Sequence, residues 1–318
     1  MSTPSDTTTT LRPTARPSRR PARLAGRSES WTGWLMSTPA LILLTTFLVV
    51  PALLGFGLGF TNACLVSPIS PEFVGLDNFR RAFTEDPVFP RSVLNTLYFA
   101  AVVVPVHSTL ALVLAVLVNS RVPGRNIFRT IYFLPVVTSI VAVSILWRFM
   151  YAQDGLVNSM LSTFSGSAIQ GTSWLSNTDT AMPAVMLMSI WQAVGFHMVI
   201  WLAGLQTIPQ ELYEAATVDG AGAWQRFRYV TWPGLRPTLV VVVVTETIGV
   251  LGVFTQINLM TEGGPLNSTS TIIFHAVRMG SKQQNVGYGA ALSLIFFLMV
   301  LAISLTQQYL AREKGVRR

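Results

Sequence analysis

The sequence predicts an all-α integral membrane protein that crosses the bilayer six times. Of its 318 residues, 51% are hydrophobic and only 11% are charged, and the mean hydropathy is +0.50. A soluble domain usually carries about 25% charged residues, so this composition excludes an ordinary soluble protein. The sequence also lacks the ~10-residue stretches of alternating hydrophobicity that are typical of a membrane β-barrel. A helical membrane domain is therefore the expected fold.

Six apolar runs come close to the ~20 residues that a helix needs to cross a bilayer. They divide the chain into a basic N-terminal segment, 1–33, a transmembrane region, 34–310, and a short basic tail, 311–318. The predicted spans are Trp34–Gly57, Leu94–Val118, Ile131–Met150, Pro183–Leu205, Thr238–Met260 and Gly287–Gln307.

The N-terminal segment is rich in Ser, Thr, Pro and Arg, and we expect it to be disordered. Its Arg19-Arg20 pair could belong to a twin-arginine export signal. No small-residue cleavage site is evident, however, and the apolar run that follows is long enough to remain as a span. A basic cytoplasmic anchor near anionic lipid is the favoured interpretation.

Basic residues predict the orientation of the chain. They concentrate at both termini, after the second apolar run and between the fourth and fifth runs. Because cytoplasmic loops carry an excess of Lys and Arg, this pattern places both termini in the cytoplasm. It also accounts for the net charge of +8 without a nucleic-acid partner.

A polar segment at residues 211–237 separates the fourth and fifth runs and has the composition of two short helices. Ala215 and Ala216 favour helix and allow another surface to approach closely. Gly220 can adopt a positive φ and turn the chain, and Pro233 and Pro237 are expected to end helical hydrogen bonding. The segment could dock another protein or lie as an amphipathic helix on the membrane.

The order of residues in this segment resembles the "EAA" loop of the permease subunits of binding-protein-dependent ABC importers. Val230 and Trp232 depart from the usual Ile and Leu. The resemblance implies a coupling helix that docks on a separate cytoplasmic ATPase. The residues that it places at this contact are Glu214, Ala215, Ala216, Asp219, Gly220 and Ala221.

Three further segments resemble the maltose and glycerol-3-phosphate group of these permeases: Phe73–Phe79, Thr261–Pro265 and Gly287–Ser293. The resemblance implies a type I ABC importer permease of six helices in the plasma (inner) membrane, with a carbohydrate as cargo. It also implies three protein partners: a second homologous permease subunit, a dimer of ATP-binding subunits and an extracytoplasmic solute-binding protein. Where relatives often carry Phe-Asp, this chain has Thr255-Gln256, so substrate contacts do not transfer automatically.

The fifth run contains polar residues that could line a transport pathway. A charged carboxylate at the bilayer centre costs roughly 2.5–3.5 kcal/mol, so Glu246 should face the bundle interior or be protonated. For Glu246, a structural hydrogen bond or ion pair is favoured over contact with sugar. Glu246 lies at the edge of a helical stripe of polar and small residues, which could either line the pathway or pack helices together. The stripe comprises Thr245, Gly249, Gly252 and Gln256, and Asn258 follows it.

The fourth run adds Trp191, Gln192 and His197 as candidate pathway residues. Indole faces can stack on sugar rings and an amide can bind hydroxyls, although packing or lipid contact explains such residues equally well. The sequence places no carboxylate or cysteine beside His107 or His275, so no metal site is predicted. The single cysteine, Cys64, is interpreted as a small apolar residue near a helix end.

ATPase chemistry is not predicted, because the Gly-Lys-Ser/Thr phosphate loop is missing. We therefore expect a transport subunit that is not an enzyme, has no cofactor of its own and relies on ATP bound by a partner. Alternatives include a permease for glycerol phosphate or another polar metabolite, a proton-coupled secondary transporter that uses Glu246, and an intramembrane enzyme. The predicted span centres contain no Lys or Arg, which favours a neutral sugar.

Overall fold

The computed structural model describes residues 28–66, 70–119, 124–165 and 171–316. Within these ranges, the regular structure is helical except for one isolated antiparallel bridge between Thr61 and Phe73. The chain divides into two units, Met1–Leu53 and Leu54–Arg318. The described α-helices are α1 (Ser28–Leu44), α2 (Val50–Leu58), α3 (Asp77–Thr84), α4 (Val88–Asn119), α5 (Arg125–Val137), α6 (Ile140–Met150), α7 (Leu156–Ser165), α8 (Ala181–Gln206), α9 (Gln210–Val218), α10 (Ala223–Arg226), α11 (Trp232–Gly234), α12 (Arg236–Leu251), α13 (Thr255–Met260), α14 (Ile272–Val277) and α15 (Val286–Val316). Short π-helical turns occupy Thr45–Val49, Phe227–Thr231 and Arg278–Lys282.

Five helical stretches among the described residues are long and apolar enough to cross a membrane. They confirm five of the six predicted positions, with ends within a few residues for most of them. These stretches are Gly33–Leu58, Val88–Asn119, Ala181–Gln206, Arg236–Met260 and Val286–Ala311.

The third predicted span, Ile131–Met150, is wrong as a single straight helix. Its place is taken by two helical pieces, Ile127–Val137 and Ile140–Met150, which are bent by 96°. The break lies at Thr138 and Ser139, whose ψ angles of 143° and 126° are both non-helical. Hydropathy stays high across the break, so composition alone gives no sign of it. The number of spans is six if this bent pair is one span.

The fifth predicted span is also interrupted. α12 ends at Leu251, three non-helical residues follow, and α13 begins at Thr255. The predicted stripe therefore does not run along one helix as far as Gln256, because the register is lost at Gly252. This part of the prediction is corrected.

Near the N-terminus, α1 begins at Ser28, so the last residues of the segment predicted to be disordered are helical. Residues 1–27 lie outside the described residues, as do Arg121, Arg317 and Arg318. Cys64 is exposed and lies beyond the end of α2, which corrects its interpretation as a small apolar residue near a helix end.

α8 is the central helix of the second unit and packs against α4, α5 and α12. Two glycines allow the closest approaches. A Cβ at Gly195 would overlap the carbonyl oxygen of Tyr132 on α5, and a Cβ at Gly204 would overlap the side chain of Thr238 on α12. Close approach of this kind, to backbone at Gly195 and to a side chain at Gly204, is how small residues fix helix pairs in membranes.

Two apolar clusters form the core of this unit. Cluster I includes Phe99, Val103, Met188, Ile190, Val253 and Phe274. Cluster II includes Ala111, Val194, Met198, Trp201, Leu235 and Val242. On α4, His107 lies between the residues of cluster I and those of cluster II, whereas His197 lies among the cluster II residues of α8. His107, His197 and Glu246 of α12 are all buried.

Side-chain hydrogen bonds organise one end of this unit. The amide of Asn78 donates to the carbonyl oxygens of Gly59 and Thr61 at 2.9 and 2.8 Å. It thereby holds α3 against the chain that follows α2. This contact explains the Asn of the Phe73–Phe79 segment, and Gly75 in the same segment has a φ of +60°.

A second hydrogen-bonded group centres on Asp86, between α3 and α4. Its Oδ2 lies 2.7 Å from Nε2 of His275 and 2.6 Å from the hydroxyl of Tyr288, and its Oδ1 accepts from the backbone N–H of Val88 at 2.8 Å. Burial acts to raise the pKa of Asp86, but these hydrogen bonds outweigh it and hold the pKa below its usual value. Asp86 is therefore a carboxylate that joins α4, α14 and α15.

Candidate functional site

The polar segment 211–237 folds as α9, a turn and α10, as the sequence predicts. Gly220 lies in the turn with a φ of +77°, which confirms its expected positive φ. The turn is closed by backbone hydrogen bonds from Gly220 to Thr217 at 3.1 Å and from Ala221 to Ala216 at 2.9 Å. An L-residue with a Cβ would be strained at the φ of Gly220.

The segment presents an exposed surface. Glu214, Ala215, Asp219 and Gly220 are exposed, whereas Ala216 and Ala221 are half-buried. Large apolar side chains on the same segment are also exposed, and this is unusual for groups with nothing to cover them. These are Leu212, Val218, Trp224 and Tyr229, of which Val218 is 88% exposed.

The same segment is firmly attached to the helices beneath it. The hydroxyls of Tyr213 and Thr231 are hydrogen-bonded at 3.0 Å, and Leu235 is fully buried in cluster II. Pro233 and Pro237 lie in the first turns of α11 and α12, so they begin helical pieces rather than end them. A force applied to α9 would therefore reach α8 and α12 through packed side chains.

The predicted pathway residues fall into two groups. Gln256 and Asn258 are half-buried on the short helix α13, and Trp191 is 42% exposed on α8. Trp191 packs against Trp147 with ring centroids 5.5 Å apart, and Gln192 donates to the carbonyl oxygen of Pro135 at 3.4 Å. This group retains surface that a passing solute could contact.

The second group is buried. Glu246 Oε1 lies 2.7 Å from Nδ1 of His107, and the ring of His197 packs edge-on against that of His107 with centroids 4.9 Å apart. This is the structural pairing favoured for Glu246. The sequence-based expectation that neither His107 nor His275 has a nearby carboxylate is wrong, because Glu246 and Asp86 contact them from sequence positions more than 130 residues away.

The structure adds a cavity of about 560 Å³ that the sequence does not indicate. Tyr151 and Trp174 contribute aromatic faces, Gln153 and Ser173 contribute polar groups, and the remaining lining includes one cation and one anion, Arg148 and Glu262. Its residues come from the end of α6, the segment before α8 and the end of α13. No contiguous motif joins these three segments, so the sequence carries no local signal for the cavity.

Comparison with known proteins identifies the group to which this architecture is similar. Residues 107–316 match the family model described as "Binding-protein-dependent transport system inner membrane component". The lactose transport system permease protein LacF of Rhizobium radiobacter is 36% identical over 89% of this chain and 94% of that protein. The trehalose/maltose transport system permease protein MalF of Thermococcus litoralis is 33% identical over 87% and 92%.

A solved structure shows the same similarity in three dimensions. It is a chain of a bacterial alginate ABC transporter in complex with a periplasmic protein that holds an alginate pentasaccharide. The TM-score is 0.77 at 27% identity, and the match covers 91% of this chain and 96% of that chain.

Proposed function

The chain belongs to the family of binding-protein-dependent transport system inner membrane components, and we propose that it forms the translocation pathway of a carbohydrate importer together with a second, homologous permease subunit. It is a multi-pass membrane protein and a permease subunit of the ABC importer type rather than an enzyme. The plasma membrane, with both termini in the cytoplasm, is its proposed location.

A sugar cargo is supported by the relatives, whose names include lactose, trehalose and maltose. It is also supported by the cavity chemistry, since aromatic faces and hydrogen-bonding groups together suit sugar rings. The positive charge of Arg148 and the negative charge of Glu262 leave the lining with no net charge from this pair, which fits a neutral solute better than an anionic one. An extracytoplasmic solute-binding protein would deliver this cargo.

The observation that carries the coupling proposal is the exposed surface of segment 211–237. Apolar groups such as Val218 and Trp224 need a covering partner, and the turn at Gly220 is held in one shape by its own hydrogen bonds. We propose that a dimer of ATP-binding subunits covers this surface. ATP binding would move the segment and, through Tyr213 and Leu235, favour one of two arrangements of the helices.

Substitutions at Gly220 test this coupling. Gly220→Val should impose strain of about 1–2 kcal/mol on the turn and reduce receptor-stimulated ATP hydrolysis, because valine avoids positive φ. Gly220→Asn should be nearly neutral, since asparagine tolerates this conformation. Apart from its chain neighbours, no described residue has an atom within 4 Å of the Cβ position at Gly220, so a difference between the two variants does not come from crowding against these residues. Gly222→Ala is the matched control, because Gly222 has a φ of −68°.

Ala216→Trp tests whether a partner covers the segment. The expected result is inserted protein that no longer co-purifies with the ATP-binding subunit. Normal co-purification and normal stimulation in both Gly220→Val and Ala216→Trp would show that this segment is not the coupling element.

The cargo is tested in proteoliposomes that contain the complete importer and its solute-binding protein. ATP-dependent uptake of lactose, trehalose or maltose supports the proposal. If only an alginate oligosaccharide is taken up, the cargo is an anionic sugar and the proposal of a neutral sugar is wrong. Uptake that follows an imposed proton gradient without ATP would instead favour a secondary transporter.

A further inference from the structure

The buried side chains of His107, His197 and Glu246 form a cluster that the transport proposal does not use. Each residue comes from a different helix, α4, α8 and α12 respectively. One nitrogen or oxygen atom from each residue lies within 4.8 Å of those from the other two. Among the residues that the structure describes, this is the one group of three His, Cys, Asp or Glu side chains with such spacing.

Much of the hydrogen-bonding capacity of this cluster is unused. Both ring nitrogens of His197, Nε2 of His107 and Oε2 of Glu246 are buried without a hydrogen-bond partner among the described residues. Their residues are 8%, 2% and 1% exposed. A buried polar atom without a partner costs about 1–3 kcal/mol, so four of them together are a large and unusual penalty. An ion bound beside His107 and Glu246 would give one ring nitrogen of His197 a partner, which that ring lacks among the described residues.

The donor set selects the kind of ion. Two imidazoles and one carboxylate suit Zn²⁺ and similar first-row dications, whereas Mg²⁺ and Ca²⁺ prefer six or more oxygens. Three protein ligands and one open position are typical of a zinc site that also holds water. Two donors bonded to one zinc ion lie about 3.3 Å apart, so modest side-chain rotation would bring these atoms into place.

We propose that His107, His197 and Glu246 bind one zinc-like divalent transition metal ion between α4, α8 and α12. The ion takes the place of the proton between Nδ1 of His107 and Oε1 of Glu246, and binding releases that proton. The carboxylate offsets one of the two positive charges. This proposal does not depend on the identity of the transported solute.

The neighbours of the cluster support binding of a single ion. Val103 on the same helix as His107, and Ile190 and Met198 on the same helix as His197, are buried apolar residues of clusters I and II and offer no competing charge. An ion held here ties three helices at one level of the bundle. It should therefore stabilise the arrangement seen in this structure over any arrangement in which these helices separate.

The experiment uses the full chain in its assembled complex, purified without a histidine tag and stripped of metal by a chelator. Co²⁺ is added first, because it gives visible absorption bands in sites that normally hold zinc. The expected result is one Co²⁺ per chain, displaced by Zn²⁺, with proton release and a higher midpoint of thermal unfolding. The same titration is repeated on His107→Gln, His197→Asn and Glu246→Gln.

Each of these three substitutions should weaken binding at least 10-fold and remove the metal-dependent thermal shift. His197→Asn is the decisive variant, because the ring of His197 makes no hydrogen bond within the described part of the chain and the variant should fold normally. His275→Gln is the matched control: it alters the other buried histidine that contacts a carboxylate and should leave binding unchanged. No stoichiometric binding by the parent chain, or equal binding by the parent and His197→Asn, overturns the proposal.

Discussion

His107–Glu246 and His275–Asp86 are two histidine–carboxylate pairs with the same nitrogen–oxygen separation of 2.7 Å. They differ in what surrounds the carboxylate. Both oxygens of Asp86 accept hydrogen bonds, from Tyr288 and His275 on one side and from backbone N–H groups on the other. Glu246 uses one oxygen, and its second is buried without a partner among the described residues.

The difference shows that pair geometry alone does not define the role of a buried carboxylate. Both oxygens of Asp86 are used, so this carboxylate acts as a structural connection between helices, and in its group only Nδ1 of His275 is buried without a partner among the described residues. Glu246 retains capacity, and His197, whose ring nitrogens have no hydrogen-bond partner among the described residues, lies nearby. Unused donors and acceptors, rather than the salt bridge itself, mark the candidate binding site.

The largest effect is expected from Asp86→Ala. This change leaves the hydroxyl of Tyr288 and Nε2 of His275 without their acceptor, and we expect a loss of about 3 kcal/mol in unfolding free energy. The measurement is unfolding by SDS titration in detergent micelles. Glu85→Ala is the control, because Glu85 is an exposed neighbour and should change the value by less than about 0.5 kcal/mol. Equal losses of unfolding free energy in Asp86→Ala and Glu85→Ala would contradict the structural role of Asp86.

A pair of isosteric changes sharpens the comparison. Asp86→Asn places an NH₂ group against donors on either side and should cost about 1–2 kcal/mol. Glu246→Gln can keep its oxygen towards His107 and put the NH₂ group where Oε2 is already unpartnered, so it should cost less than about 1 kcal/mol in metal-free protein. The reverse order in SDS titration would contradict the distinction drawn between the two pairs.

Acid pH should act on the Asp86 pair through its lowered pKa. A carboxyl group whose pKa is lower in the folded protein stabilises the fold above its unfolded pKa, and this contribution disappears as the pH falls through the folded pKa. The midpoint of thermal unfolding of the parent should therefore fall as the pH drops below about 4, the ordinary range for aspartate. The unfolding midpoint of Asp86→Asn should depend less steeply on pH than that of the parent. The same pH dependence in both proteins would mean that Asp86 is not the titrating group.

The smallest effect is expected from His197→Asn in metal-free protein. No hydrogen bond to the described residues is lost, and the cost in unfolding free energy should be below about 1 kcal/mol, from reduced packing against His107. His107→Asn is the comparison, since it breaks the contact with Glu246 and should cost more. A larger loss for His197→Asn would reveal a partner of that ring.

Local features of the sequence predicted much of the fold. Hydropathy located the helices that can cross a membrane, and the turn at Gly220 followed from the residue type that tolerates positive φ. The 96° bend between α5 and α6 escaped prediction, because the apolar run continues through Thr138. The break before Thr255 escaped it for the same reason.

The buried pairs could not be predicted from one sequence. His107 and Glu246 are 139 positions apart, and His275 and Asp86 are 189 positions apart. No local pattern connects such residues, because only the packing of α4 on α12, or of α14 near the start of α4, brings them together. Glu246 was nevertheless recognisable as a group that must find a partner, since an isolated charge is costly in a membrane.

The contact between the chain after α2 and the start of α15 determines when, during synthesis, this part of the fold can form. Leu65 donates its N–H to Gln284, Ala63 accepts from Gly287, and Gly59 lies against Ala291, all between backbones. An early segment thus waits for residues made near the end of translation before its hydrogen bonds are satisfied. When the earlier helices of a nascent chain have already inserted, the backbone groups of Ala63 and Leu65 still lack these partners. They gain them only when the segment that begins α15 has been made.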